Sequence, residues 1–434
     1  MSGINIIKRG ETWQYRFDIA KVGGKRKQYS KGGFKTRKEA LEAGAIALAK
    51  YTQEGRVSKP SEISVSDYLD YWFENYCKMN LKYNTLVGYS RIIERHLKPA
   101  FGHYYLKLLT PSMIQEFVNN LKLKGFSKSS VGGIYSTLSC ALKYAIEPLK
   151  LIQSNPCDFI KLPKFNESKH SKRFILTRSD YERIFQRFPE GNPWFIPLLI
   201  GYHTGLRINE VFALTWKDID LENHTISVNK ILVKRSYSIK KEEKSGWYIS
   251  TPKTLSSIRT ILIDSILLEA LKRERDKQLR NQDEYGKRYI NIYAQDEIDE
   301  KGDTINRLVE IEAGIPIFLP ALEMVCVREN GQLLTSDSFK YCARVIHYEL
   351  KIAFNFHSLR HTHATLLVQE GAHIKDVQER LGHANIETTL DTYTHNTKVM
   401  KETSITLFEN HLKKSVYKMC TNDDVTDVSE KLSY

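Results

Sequence analysis

The amino-acid sequence predicts a multidomain α+β protein. A small N-terminal β-sheet with one helix comes first, then an all-α four-helix domain, then a mainly α domain with a small antiparallel sheet. Three observations predict it. At 434 residues the chain is longer than one ordinary hydrophobic core serves. Strand-like alternation dominates residues 4–34 and returns only in short stretches around TISVNKILVKR and WYISTPKTLSSIRTILI. Between those stretches, apolar residues recur at helical spacing behind recognisable caps.

In the first domain, TWQYRFDIA places Trp13, Tyr15 and Phe17 on one face and Gln14 and Arg16 on the other; a KVGGKR turn and a second basic strand, KRKQYSKGGF, follow. Thr36-Arg37-Lys38-Glu39 is a capping box opening a helix to about Lys50, so residues 1–60 are expected to form a three-stranded sheet plus helix. The polar strand positions carry Arg16, Lys25, Lys27 and Lys31, residues that in a DNA groove would meet phosphates and base edges. A basic surface with no ligand is the plain alternative.

QEGRVSKPSE (53–62) reads as a linker. A helix then starts behind Ser66 or its neighbour in SVSDYLDYWFENYC, and NTLVGYSRIIERHL gives a second. Thr110-Pro111 pairs an N-cap with proline at the first helical position of PSMIQEFVNNLKLKG, and SKSSVGGIYSTLSCALKYAIE gives the fourth helix of a domain over residues 61–165. The Pro- and Lys-rich stretch 152–173 leads to a third domain over residues 170–412, where Thr177 and Asp180 cap the helix in LTRSDYERIF. Residues 281–314, with the acidic run QDEIDEKGD, are polar and poorly periodic and read as a surface excursion; residues 413–434 form a polar tail.

Composition narrows the function. Lys and Arg number 65 against 51 Asp and Glu, a net charge of +14, and residues 1–60 hold +9 of it. Such a balance favours an anionic polymer as partner. With 41% hydrophobic residues the chain is globular. No apolar run approaches the ~18 residues a membrane span needs. The stretch MSGINIIKRGETWQYRF has no signal-peptide core, so a cytoplasmic location is expected, with no membrane partner. The six cysteines include no C-x-x-C pair and read as reduced thiols.

The stretch with most chemistry is HSLRHTHA, residues 357–364. On a helix, His357 lies about 60° from Arg360 and about 40° from His361, whereas His363 points about 200° from His361 and only about 40° from Leu359. His363 therefore reads as a core histidine, turned inward with Leu359 and Leu366. His357 and His361 have the spacing to chelate zinc, but Arg360 on the same face opposes a divalent cation and no carboxylate is near in sequence. The same face suits an anion, because a guanidinium offers a planar fork and the imidazole another hydrogen bond. No metal and no cofactor are expected. A second arginine stands in HTGLRINEVFALTW, where Gly205 is expected to open a helix with Ile208, Val211, Phe212 and Thr215 on its buried side. Glu210 lies three residues from Arg207 and could hold its guanidinium; a purely structural ion pair is the alternative. Farther on, LGHANIETTLDTYTH supplies His383 and Tyr393.

Taken in order, GLRINE, TPKTLSSIRTI, HSLRHTHATLL and LGHANIETTLDTYTH resemble the tyrosine recombinase family, specifically the lambda-type integrases of phages and conjugative transposons. Each motif is weak alone, but their order from residue 205 to 395 makes the resemblance specific. It extends outward: residues 1–60 look like an arm-site DNA-binding domain and residues 61–165 like a SAM-like core-binding domain.

The resemblance implies a site-specific recombinase that cleaves and rejoins DNA through a 3′-phosphotyrosine, integrating and excising a prophage or mobile element. Arg207 and Arg360 would hold the non-bridging oxygens of the scissile phosphate, His357 and His383 would assist, and Glu210 would support the pocket. Tyr393 would be the nucleophile. Lys253 would be the general acid for the leaving 5′ oxygen, although Lys244 lies in the same strand-turn region, whose pattern matches the family's hairpin. The implied partners are double-stranded DNA of core and arm type and three further copies in a homotetramer on DNA, with an excisionase and a host DNA-bending protein as further candidates. The apolar Ile405, Leu407, Phe408 and Leu412 would dock on a neighbouring subunit or on their own domain.

The chemistry stands without the family name. Two arginines and a lysine can neutralise a phosphodiester without a metal, and a tyrosine with a pKa near ~10 needs such help to attack. A phosphotyrosine link conserves the bond energy, so rejoining needs no ATP. A metal-dependent nuclease built on the histidines, a regulator that keeps the fold without catalysis, and a type IB topoisomerase are the competing readings. The first needs carboxylates near His357, and the second predicts lost catalytic groups where all are present. The separate basic N-terminal domain favours an integrase over the third.

Overall fold

The computed structural model describes residues 3–22, 25–52, 63–165, 174–235, 245–252, 254–299 and 301–383. They divide into two compact units, the first holding the described residues up to 165 together with 301–303 and the second holding the rest.

The first unit opens with the expected three-stranded sheet. Strands β1 (Asn5–Arg9), β2 (Thr12–Val22) and β3 (Lys25–Phe34) pair antiparallel in that order, and helix α1 (Arg37–Thr52) follows. Thr36 Oγ1 accepts the Glu39 N–H at 3.1 Å and Glu39 Oε2 accepts the Lys35 N–H at 3.1 Å, so the capping pair forms one residue offset from a strict box. Tyr15 and Phe17 are buried, and their rings pack with Tyr29 and Phe34. The register separates the basic residues that the sequence places together. Arg16 pairs with Ser30, whereas Lys31 pairs with Tyr15 and Lys27 with Ile19. Directly paired residues share a face, so Lys27 and Lys31 lie on the aromatic face and Arg16 on the opposite one. The side chain of Lys25 lies outside the described residues.

The rest of this unit is helical. Helix α2 (Val65–Trp72) is capped by Ser64, whose Oγ accepts the Asp67 N–H at 3.0 Å; Ser66, which with its neighbour was the expected cap, is buried inside the first turn. It continues through a π-helical turn, Phe73–Cys77, to Asn80. Helix α3 (Tyr83–Ile92) likewise continues through Ile93–Leu97 to Phe101. Helix α4 (Pro111–Leu123) starts at the predicted Thr110 cap, and α5 (Lys128–Ile146) behind Ser127. Tyr68, Leu69, Trp72, Leu97, Ile114 and Leu138 are buried at their shared core. The Tyr68 hydroxyl donates to the Ala141 carbonyl, which satisfies the one polar atom of that ring.

The second unit contains α6 (Arg178–Arg187), closed by the predicted Thr177–Asp180 capping box, and α7 (Phe195–Thr204), an almost wholly buried helix. A short helix, α8 (Ile208–Val211), follows. Two antiparallel sheets come next. One orders β4 (Ile219–Asp220), β5 (Thr225–Val228) and β8 (Arg259–Leu262); the other orders β6 (Ile231–Arg235), β7 (Gly246–Ser250), β10 (Thr304–Glu312) and β9 (Ile290–Ile298). Helix α9 (Ser265–Tyr285) precedes β9, and α10 (Phe339–Tyr348), α11 (Phe356–Gln369) and α12 (Ile374–Leu381) complete the unit.

Residues 281–314 are therefore not an excursion. They end α9 and form the β9–β10 hairpin, with Ile292, Ala294 and Leu308 buried. Its alternating apolar residues are ordinary for a sheet with one covered face, and the acidic residues between them masked the period. No described helix is long and apolar enough to cross a membrane. The five described cysteines are free.

The α7–α11 contact depends on Gly201. A Cβ there would stand 2.7 Å from Phe356 Cζ and 2.8 Å from Leu359 Cδ1, both in the first turn of α11. His363, farther along α11, faces inward as predicted and accepts a hydrogen bond at Nε2 from Arg380 Nε at 3.0 Å. Leu366, grouped with it by the helical angle, is instead 39% exposed, because α11 is covered on only part of its circumference there. Burial, then the neighbouring Arg380, pushes the His363 pKa down to about 3.

Gly201→Ala lowers unfolding stability by about 1–3 kcal/mol through overpacking, whereas Gly132→Ala on α5, with open space around its Cβ, raises it by about 0.5–1 kcal/mol; denaturant midpoints of each transition check both. His363 binds its proton near 6.5 when unfolded and near 3 when folded, so its contribution is present above pH 6.5 and is lost as pH falls from 6.5 towards 3. Thermal melts at pH 7.5 and 5 should therefore show a smaller loss on acidification for His363→Gln than for the wild type, and equal losses would contradict this.

Candidate active site

The site forms where the ends of α7 and α12 meet the start of α11. Helix α7 ends at Gly205 with φ +68°, the left-handed conformation that glycine adopts without strain. Gly205 thus closes α7 and does not open the next helix, as the sequence suggested. A Cβ on it would lie 2.8 Å from Leu381 Cδ2 and 3.0 Å from His363 Cδ2, so no larger residue lets the three segments converge.

Arg207 is the N-cap of α8. Its backbone N–H donates to Glu210 Oε2 at 2.9 Å and its Nη1 donates to Glu210 Oε1 at 2.8 Å. Glu210 is buried, while the Arg207 side chain is 36% exposed. Burial alone would raise the Glu210 pKa, but Arg259 and Arg207 outweigh it and hold the carboxyl below its ordinary value. Glu210 is therefore an ionised strut behind Arg207.

Arg360, in the second turn of α11, is 1% exposed. Its Nη1 donates to the Gly205 carbonyl and its Nη2 to the Leu381 carbonyl, both at 2.8 Å. Three successive carbonyls at the end of α12 each accept from a different arginine: Arg380 from Arg259 Nε at 2.6 Å, Leu381 from Arg360, and Gly382 from Arg207 Nη2 at 3.2 Å. Helix C-termini carry orphan carbonyls with partial negative charge, and this one spends them on gathering guanidinium groups.

His383 follows directly. Its backbone N–H donates to the Gln378 carbonyl at 3.1 Å, and its own carbonyl accepts from Gln378 Nε2 at 3.0 Å. Burial, then Arg360, Arg207, His357 and Arg259, push its pKa down to about 3. His357 lies one turn before Arg360 at the exposed edge of α11; partial desolvation and then Arg360 and Arg207 lower its pKa, with Glu210 opposing. Both imidazoles are thus neutral near pH 7. Three guanidiniums and one carboxylate leave two positive charges, and two neutral imidazoles stand among them. That arrangement attracts an anion with several acceptor oxygens and repels a cation.

The structure thus brings together Arg207, Glu210, His357, Arg360 and His383. Lys253 and Tyr393 lie outside the described residues. Lys253 falls between β7 and β8, which belong to different sheets, so TPKT and IRTI are not the two arms of one hairpin as their pattern suggested. Arg259, which the sequence reading passed over, belongs to the cluster. It stands in TPKTLSSIRTI, but a lone arginine at a strand start gives no sign that it turns inward.

The chain is similar to known proteins along most of its length. The model described as phage integrase family matches residues 175–400, one described as a phage integrase N-terminal SAM-like domain matches residues 64–122, and one described as an arm DNA-binding domain matches residues 5–51. The ICEBs1 integrase of Bacillus subtilis is 27% identical over 400 residues, covering 90% of this chain and 95% of that protein. The integrase of Staphylococcus phage L54a is 24% identical over 368 residues, covering 80% and 92%. Among solved structures, the Tn1549 transposon integrase in complex with a circular intermediate DNA shares the fold with a TM-score of 0.60 at 22% identity, covering 80% of this chain and 99% of that one. The chain belongs to the phage integrase family, and it is a site-specific tyrosine recombinase of the phage and conjugative-transposon type, a class that integrates and excises mobile elements.

Proposed function

We propose that the Arg207, Arg360, His357 and His383 cluster binds the scissile phosphate of duplex DNA and that Tyr393 attacks it. The observation that carries this reading is the pair of guanidiniums anchored on successive carbonyls of one helix end, Leu381 and Gly382, beside two neutral imidazoles. Fixed donors aimed at developing charge are the largest single contribution in many active sites.

The step balances as follows. The Tyr393 phenol oxygen forms a bond to phosphorus, and the bond from phosphorus to the 5′ oxygen breaks. The tyrosine proton passes to a neutral imidazole, for which His357 is available, and Lys253 delivers a proton to the leaving 5′ oxygen. The product is a 3′-phosphotyrosine and a free 5′-hydroxyl. Attack by a different 5′-hydroxyl reverses the step and joins a new strand, with no metal or ATP consumed. Glu210 holds Arg207 throughout.

In this reading residues 1–60 bind arm-type sites, residues 61–165 grip core-type sites, residues 170–412 perform cleavage, and residues 413–434 are a tail. Arg16, Lys25, Lys27 and Lys31 contact arm DNA, with Arg16 on a different sheet face from Lys27 and Lys31. Exchange of four strands calls for a homotetramer on two duplexes in the bacterial cytoplasm, at the nucleoid, with an excisionase and a host DNA-bending protein to bias direction.

The test is covalent trapping with a nicked duplex that spans the element's junction, in EDTA. The wild type forms an adduct that survives a denaturing gel, and Tyr393→Phe forms none. An adduct in the Phe variant, or cleavage that appears only on adding a divalent metal, would overturn the reading. Lys253 is tested separately. Lys253→Ala loses cleavage on ordinary DNA but recovers when the leaving 5′ oxygen is replaced by sulfur, because a thiolate departs without a proton. Equal loss on both substrates would remove Lys253 from that role.

A further inference from the structure

We propose that Arg259 is a positioning residue for strand cleavage: it shares the charge of Glu210 and so keeps the Arg207 guanidinium both aimed at the phosphate and electrostatically available to it. The assignment rests on the phosphate-clamp reading above and adds a part to it.

Arg259 starts β8 and its side chain is 7% exposed. Its Nη2 donates to Glu210 Oε2 at 3.0 Å, and its Nη1 lies 3.4 Å from Glu210 Oε1. Its Nε donates to the Arg380 carbonyl at 2.6 Å, and its Nη1 to the Ser257 carbonyl at 2.9 Å. A single side chain thus ties the carboxylate behind Arg207 to the helix end that precedes His383 and to the turn that follows Lys253. Gly382 makes room for it, since a Cβ there would lie 3.1 Å from Arg259 Nη1.

The electrostatics give this contact a consequence beyond packing. Glu210 is buried and ionised, and in a low-dielectric setting a lone carboxylate would largely cancel the one guanidinium paired with it. With Arg259 on one side and Arg207 on the other, the carboxylate divides its charge between two cations. Removing Arg259 lowers the cluster from two net positive charges to one and leaves Glu210 to Arg207 alone. A lysine restores the charge but, with one ammonium, cannot span Glu210 and the Arg380 carbonyl together. A mere structural pair would predict lost stability and no specific effect on the chemical step.

The full-length protein is tested by single-turnover cleavage of the nicked junction duplex, measured as a function of DNA concentration. At saturating DNA, Arg259→Gln should cleave roughly 100-fold more slowly and Arg259→Lys roughly 10-fold more slowly. The half-saturating DNA concentration and the melting temperature of Arg259→Lys should stay near wild type. Because both residues act through one contact, Glu210→Gln combined with Arg259→Gln should be no slower than the slower single variant. Wild-type rates for a folded Arg259→Lys, or losses that multiply in the double variant, overturn the proposal while leaving the Tyr393 adduct and the clamp reading intact. Absence of any Tyr393-dependent adduct in the wild type overturns both.

Discussion

The C-terminal end of α12 is the constraint on which the site depends. Arg380, Leu381 and Gly382 present three consecutive carbonyls, and each is taken by a different arginine from a different part of the chain. A helix end ordinarily hands such carbonyls to water or to a glycine cap. Here the cap is present, with Gly382 at φ +67°, yet the carbonyls face inward onto guanidinium groups. The exchange works in both directions. The helix end gains partners for buried acceptors, and three cations, which would be costly to bury alone, gain a lining of partial negative charge.

From that constraint the remaining features follow. Arg360 can be almost fully buried because its guanidinium bridges two helix ends, Gly205 of α7 and Leu381 of α12. Gly201 and Gly205 are needed because α7 must approach α11 and α12 closely for those bonds to form. His383 sits immediately beyond the helix end, where burial first and then the combined field of the arginines keep its imidazole neutral. His363 shows the same physics turned to structure: on the same helix as His357 and Arg360, it faces inward to Arg380 and supports the junction.

Much of this was legible in the sequence. The angle between His357 and Arg360 on a helix, and the inward turn of His363, follow from helical geometry alone, and the capped starts at Thr36, Thr110 and Thr177 are local chemistry. What was not legible depends on contacts distant in sequence. Arg259 looked like any strand arginine because its partner Glu210 lies 49 residues away. Which sheet face each basic strand residue takes was not legible, because the pairing register, with its shifts between β2 and β3, is not written in either strand. The β9–β10 hairpin was misread because QDEIDEKGD is acidic, although the flanking alternation of Ile290, Ile292 and Ala294 was strand-like. Helical angle placed Leu366 in the core, but how far a neighbouring element covers α11 is set by tertiary packing.

The central claim is that the gathered arginines exist to neutralise a phosphate. It is tested most directly by removing the charge from the other side. Arg207 is the partly exposed member, and Glu210 keeps Arg259 as a partner when it is removed, so Arg207→Ala leaves the buried network paired. Its cleavage in EDTA is compared on two duplexes, one with an ordinary scissile phosphate and one with a methylphosphonate, which lacks the negative oxygen. The account predicts a loss of roughly 100-fold or more on the phosphate and substantial recovery on the methylphosphonate. An equal defect on both substrates would show that Arg207 does not act through the phosphate charge, and the reading of the cluster as an anion clamp would fall.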